Sequence, residues 1–229
     1  MTPHPLLAAI LAELAPLGLP QKAVAAAAYL KSDLQFLGVT ASVVREVALR
    51  HYKAAGKPDR AALQQLAQAA WATGSHDARA VACVVLEKWP QSLLVADLPW
   101  LKELVRHSNS WAYVDVLAVH VVGNIAACQP QPTKLALSAW ATDGNFWVRR
   151  AALLALLGEM RHGGGFDSAQ FEAWAVPMLP DREFFIRKAI GWVLRDVSKR
   201  QPEFVRGFID RHRAKMSGLT LREAGRLLA

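Results

Sequence analysis

Three stretches of this chain align with one another without gaps: "HSNSWAYVDVLAVHVV" from His107, "TDGNFWVRRAALLALL" from Thr142 and "PDREFFIRKAIGWVLR" from Pro180. A fourth, "TGSHDARAVACVVL" from Thr73, joins them with a small gap. Anchored on Arg79, Asp115, Arg150 and Lys188, the steps are 36, 35 and 38 residues. A period of that size constrains the fold strongly, because each unit must bury its apolar face against the next. Apolar residues recur at three- and four-residue intervals, as in "SVVREVALRHY" and "AALQQLAQAAW", so the units are helical. Strand-type alternation is hard to find. Roughly a dozen helices are expected, joined by short loops such as "GKPD", "CQPQP" and "RHGGGFD". The predicted fold is all-α: a curved α-solenoid of HEAT-like helical repeats, an ARM-repeat-type superhelix, with residues 1–229 as a single domain.

The rest of the composition narrows the classes of function. At 53% hydrophobic and 20% charged over 229 residues, the chain can bury a substantial core and is not disordered. No stretch offers about 18 uninterrupted apolar residues, so no membrane span is expected. The early segment "HPLLAAILAEL" lacks a basic leader and carries Glu13 within its apolar run, so it reads as an amphipathic helix rather than a signal peptide. Cys83 and Cys128 both sit in apolar runs, the usage of a reducing compartment such as the cytoplasm, with thiols acting as small hydrophobes. The seven histidines form no His-x-x-x-His or His/Cys cluster, so no metal is expected. Lys and Arg number 27 against 19 for Asp and Glu, a net charge of +8 compatible with a polyanionic partner.

The repeat alignment brings particular residues together. One column carries a base in three units, Arg79, Arg150 and Lys188, and the acid Asp115 in the remaining one. Four residues earlier stand Ser75, Trp111, Phe146 and Phe184, on the same helix face because residues four apart are neighbours there. The predicted wall is a stripe of cations and aromatics broken by one carboxylate beside one tryptophan. Such cations suit phosphates spaced along a duplex; equally, they suit acids of the neighbouring repeat. Phe146 and Phe184 read first as core, whereas Trp111 and Trp192 are better placed to be exposed. Asp115 has a plain structural reading too: it complements the helix dipole or pairs with Arg150, with Ser110 or Asn109 as the helix cap.

Taken together, the constellation suits cleavage of an N-glycosidic bond in alkylated DNA. A purine alkylated at N3 or N7 is cationic and already a good leaving group. What remains is an oxocarbenium-like sugar and a water nucleophile, which a fixed carboxylate can stabilise and orient. "HGGG" at His162–Gly165 looks like an oxyanion-hole motif, but no Gly-x-Ser-x-Gly elbow accompanies it, and it reads as a loop between repeats. No phosphate-binding Gly-x-x-x-x-Gly-Lys motif is present.

At these residues the sequence resembles the AlkD-like DNA alkylation repair family, the HEAT-like-repeat alkylpurine DNA glycosylases. "EFFIRKAIGWVLRD" at Glu183–Asp196 carries the resemblance most strongly, supported by "NFWVRRAAL" at Asn145–Leu153, "SWAYVD" at Ser110–Asp115, "AYLKSDLQFLGV" from Ala28 and the closing "LTLREA" at Leu219–Ala224. The resemblance covers nearly the whole chain. It implies excision of positively charged N3- and N7-alkylpurines such as 3-methyladenine and 7-methylguanine from double-stranded DNA. It implies no metal or other cofactor, no lyase step and a monomeric enzyme. By position, Asp115 is similar to the catalytic carboxylate, Trp111 and Trp192 to the aromatic pair at the lesion, and Arg150 to a phosphate-contacting arginine. Tyr29, Phe184 and Phe185 fall where the family places further DNA-facing aromatics; Arg149 and Lys188 are expected at the DNA backbone as well. One departure concerns the family's frequent Trp-Trp-Asp, which here is Ser110, Trp111 and Ala112. Two other readings remain open from the sequence: a non-catalytic repeat protein binding damaged or branched DNA, and a protein–protein scaffold.

Overall fold

A computed structural model describes residues 4–161 and 165–228. The "HGGG" loop falls largely on 162–164 and so lies outside the described residues. Among the described residues the structure is all-α, with one isolated bridge between Gln35 and Ser75 as its only extended pairing. The chain divides into two compact units, Met1–Leu94 and Val95–Ala229.

The first unit contains α1 (Pro5–Leu14), α2 (Pro20–Leu30), α3 (Ala41–Ala55), α4 (Arg60–Ala72) and α5 (His76–Lys88). Helix starts follow local chemistry. Proline stands at the first position of α1 and α2, where its missing N–H costs nothing. Asp59 accepts from the Ala62 N–H at 2.8 Å to cap α4, and Ser75 caps α5 through the Ala78 N–H. The N-terminal segment is the amphipathic helix expected: α1 buries Leu7, Ile10 and Leu14 and turns Glu13 outward to Arg50 and His51 of α3. α2 buries no residue.

The second unit carries the periodic segments. It contains α6 (Leu98–Arg106), α7 (Trp111–Cys128), α8 (Pro130–Ala141), α9 (Phe146–Arg161), α10 (Ser168–Met178), α11 (Phe184–Ser198), α12 (Pro202–His212) and α13 (Gly218–Gly225). Helices α7, α9, α11 and α13 pack side by side in that order, each starting a repeat period after the last. The ion pairs measure the same period. Arg106 reaches Asp143, Arg149 reaches Asp181, and Lys188 reaches Glu223, each joining one repeat to the next. Where two helices of this layer cross most closely, both carry glycine. A Cβ built on Gly158 would lie 2.3 Å from the Gly123 Cα, far inside any real contact, so α7 and α9 can approach only without side chains.

Helix α7 is irregular. Over Leu117–Val122 its hydrogen bonding widens to a π-helical pattern, between Asp115 and the Gly123 crossing. By length and mean composition it could span a membrane, although Asp115, His120 and Asn124 interrupt its apolar run. More than half of it is buried within the second unit, which is how a core helix meets the same criterion. The cysteines differ as well: Cys83 is buried, but Cys128 is exposed at the end of α7, so only the first acts as a small hydrophobe.

Candidate active site

The N-terminal ends of α7, α9 and α11 build the site. Ser110 starts α7 by accepting from the Ala112 N–H, while Asn109 before it takes a positive φ of 50°. Asn145 starts α9, accepting from the Trp147 N–H at 2.9 Å. Trp111 and Asp115 lie one turn apart on α7, both partly exposed.

Asp115 and Arg150 form a two-pronged pair. The guanidinium Nε donates to Oδ1 and Nη2 to Oδ2, both at 2.8 Å. Nη1 donates to the Phe185 carbonyl at 2.7 Å, so Arg150 ties α7, α9 and α11 together. Its carbon centre lies 5.8 Å from the Phe185 ring and 6.0 Å from the Trp192 ring, within cation–π range of both. Arg150 is 3% exposed; the Asp115 side chain keeps 17%. Burial pushes the Asp115 carboxyl above its ordinary range, against the Arg150 guanidinium that pulls it down.

The other anticipated residues divide. Phe185 stacks on Phe146 at 6.1 Å and packs on Trp147 at 4.5 Å, forming the aromatic floor beside Arg150. Phe184, the first residue of α11, is 55% exposed rather than core and meets the Phe185 ring at a near-perpendicular angle. Trp192 is partly exposed over Arg150. Tyr29 is 73% exposed on α2 of the first unit.

The cationic stripe is largely committed within the second unit. Arg150 was expected at a phosphate, yet its side chain is buried with its donors on Asp115 and Phe185. Arg149 donates to the Asp143 and Gly144 carbonyls and to Asp181. Lys188 pairs with Glu223 at 2.7 Å, and Arg195 donates to the other Glu223 oxygen at 2.5 Å. Sequence reasoning missed Glu223, although it stands 35 residues after Lys188 and extends the same column into α13. The repeat spacing was the signal that could have found it. Equivalent positions of successive repeats touch, and the acids in that column neutralise the bases beside them. Among the described residues no group of three or more His, Cys, Asp or Glu side chains is placed to hold a metal ion.

Comparison with known proteins agrees with this architecture. The DNA alkylation repair enzyme family matches the chain over residues 10–228. Among solved structures, a "Predicted DNA alkylation repair enzyme" from Enterococcus faecalis is 24% identical, with a TM-score of 0.82, and the match covers 93% of this chain and 97% of that one. AlkD2 from Streptococcus mutans is 18% identical, with a TM-score of 0.62, and the match covers 82% of this chain and 90% of that one. At those identities the likeness is one of fold, the HEAT-like fold of AlkD-type structures. No curated protein matches by sequence. With the family spanning nearly its full length, the chain belongs to the DNA alkylation repair enzyme family.

Proposed function

We propose that the chain is a monofunctional DNA glycosylase that hydrolyses the N-glycosidic bond of cationic N3- and N7-alkylpurines in duplex DNA. One observation carries the reading: the Asp115 carboxylate, one turn from Trp111, is held on both oxygens by Arg150, whose guanidinium lies 6.0 Å from the Trp192 ring. The bond between C1′ and the purine nitrogen breaks with both electrons going to the base, which leaves neutral. The sugar is left as an oxocarbenium-like cation. Asp115, anionic and unable to rotate, stabilises that charge and orients a water toward C1′. Water oxygen bonds to C1′, its proton passes to the carboxylate and then to solvent, and the products are free base and an abasic site. No metal or other cofactor is needed, since the leaving group carries its own charge.

Arg150 acts in this scheme through Asp115 rather than on the backbone. Each carboxylate oxygen accepts one bond from it and keeps a further lone-pair site for water. The tryptophan faces suit the cationic lesion, an attraction of about 0.5–2 kcal/mol depending on desolvation.

A second reading has one observation in its favour. A carboxylate gripped on both oxygens also fits a purely structural ion pair, which would leave a non-catalytic protein binding damaged or branched DNA. Incubation with a duplex carrying N7-methylguanine separates the two. The glycosylase reading requires free 7-methylguanine with the strand left unbroken at the abasic site. Tight binding without base release would establish the second reading instead.

A further inference from the structure

With Arg149 and Arg150 largely buried and held by acids and carbonyls, other basic side chains of the second unit are better placed to meet a DNA backbone. The far ends of α9 and α11 offer them. There Met160, Arg161, Asp196, Lys199 and Arg200 line an open cavity of about 210 Å³. Three of its five lining residues are cationic, against one acid. Lys199 is 58% exposed and Arg161 40%, whereas the Arg149 side chain keeps 19% and that of Arg150 4%. Lys199 and Arg161 share one acid. Lys199 meets Asp196 at 2.7 Å, Arg161 stands 3.9 Å from the same carboxylate, and an Arg161 N–H donates to the His120 ring at 3.3 Å. Arg200 is the anchored member, donating to the Met160 carbonyl at 2.7 Å and so closing the end of α9.

The placement repeats on both helices. Arg161 follows Arg150 by 11 residues on α9, and Lys199, the residue that closes α11 in helical geometry, follows Lys188 by 11 residues. Eleven residues make just over three full turns, so each pair shares a helix face, roughly 16 Å apart along the axis. Trp192 lies between the two rows on α11. That separation is of the order of a B-DNA groove with its flanking phosphates, the groove itself being about 6 to 12 Å wide. One duplex placed with its lesion at Asp115 and Trp192 therefore has backbone within reach of the second row.

We propose that the cavity between Arg161 and Lys199 is a phosphodiester seat for the duplex whose lesion is held at Asp115. The proposal builds on the DNA-processing reading and supplies the backbone contact that a buried Arg150 does not. Arg161 and Lys199 would exchange their contacts with Asp196 and His120 for a phosphate oxygen, and Arg200 would hold the floor of the site. Asp196 limits affinity by competing for the same cations.

The test is the salt dependence of binding to an undamaged duplex, measured by fluorescence anisotropy, which does not require excision. The variant R161Q/K199Q should lose about one unit of slope in log K against log salt, the effect of one phosphate contact. D196N should bind the duplex several-fold more tightly at low salt. If the double variant melts early, K199Q alone serves, because Lys199 is 58% exposed and pairs with Asp196 three residues away in sequence. An unchanged slope in a folded variant, with the wild type binding, overturns the seat while leaving the glycosylase reading intact. Inorganic phosphate titrated alone is the second arm. Saturable binding lost in the double variant, with the duplex slope unchanged, would assign the cavity to a small free anion and also overturn the proposal. Failure of the wild type to bind any duplex would sink the seat and the function it serves together.

Discussion

Asp115 and Glu223 are both carboxylates in one helix layer, and their surroundings drive them in opposite directions. At Glu223 the Lys188 ammonium holds the carboxyl below its ordinary range, with Arg195 and Arg226 adding to the effect. Its contribution to stability is present above the unfolded-state value and is lost as pH falls through the lowered one. At Asp115 burial raises the carboxyl despite Arg150. The folded state then holds its proton more tightly than the unfolded chain, so ionising it costs stability as pH rises from the unfolded value through the raised one. Because catalysis needs the ionised form, the excision rate should rise with pH along a limb whose midpoint lies above the ordinary Asp value of about 3.9. A rate profile flat down to that value would show that Asp115 titrates without influence on the chemistry. Arg150→Ala strands a buried acid and should cost about 3–5 kcal/mol of stability, seen in denaturant melts. It should leave the salt slope of duplex binding unchanged, since its side chain is buried and donates to Asp115 and the Phe185 carbonyl. A loss of one unit there would return Arg150 to the backbone-binding role expected from its place in the cationic stripe.

The elements were the most legible part of the chain. The 35-residue spacing visible in "SWAYVD", "NFWVRRAAL" and "EFFIRKAIGWVLRD" reappears as the sequence separation of Asp115 from Arg150 and of Lys188 from Glu223. Caps at Ser75 and Ser110 fall where the sequence offers hydroxyls before apolar runs. What sequence could not show was which neighbours a repeated base would meet. A basic stripe and a row of inter-repeat ion pairs look identical until the acids of the next repeat are placed, as Glu223 is beside Lys188 and Asp181 beside Arg149. The π-helical stretch at Leu117–Val122 was equally invisible, because widening a helix by one residue per turn leaves the apolar periodicity almost intact. The Gly123–Gly158 crossing supplies a direct test. Alanine is intrinsically better than glycine in a helix by about 0.5–1 kcal/mol. Here its Cβ would strike backbone, not a flexible side-chain end, so the crossing must open. Gly158→Ala should therefore destabilise, by about 1–3 kcal/mol as in other overpacked interiors. A variant as stable as the wild type would mean that α7 and α9 are not in backbone contact.

For the molecule as a whole, a net charge of +8 acquires a location only after the ion pairs are counted. Much of the second unit's positive charge is internal bracing between repeats. On the proposed reading, Arg161 and Lys199 are exposed cations offered to a polyanion, and the chemistry falls to Asp115, its arginine and two indoles. That division separates binding from chemistry, so the two should be separable by mutation. The most direct measurement of the central claim is single-turnover release of 7-methylguanine from a duplex, comparing wild type with Asp115→Asn under saturating protein, with duplex affinity measured alongside. Asparagine keeps one acceptor for Arg150 but removes the charge. The glycosylase account predicts release by the wild type and a fall of about 100-fold or more in the variant, the scale of losing a preorganised electrostatic group, with duplex affinity equal or slightly improved. Release at an undiminished rate by a folded Asp115→Asn protein, or none from the wild type despite tight binding, would contradict it.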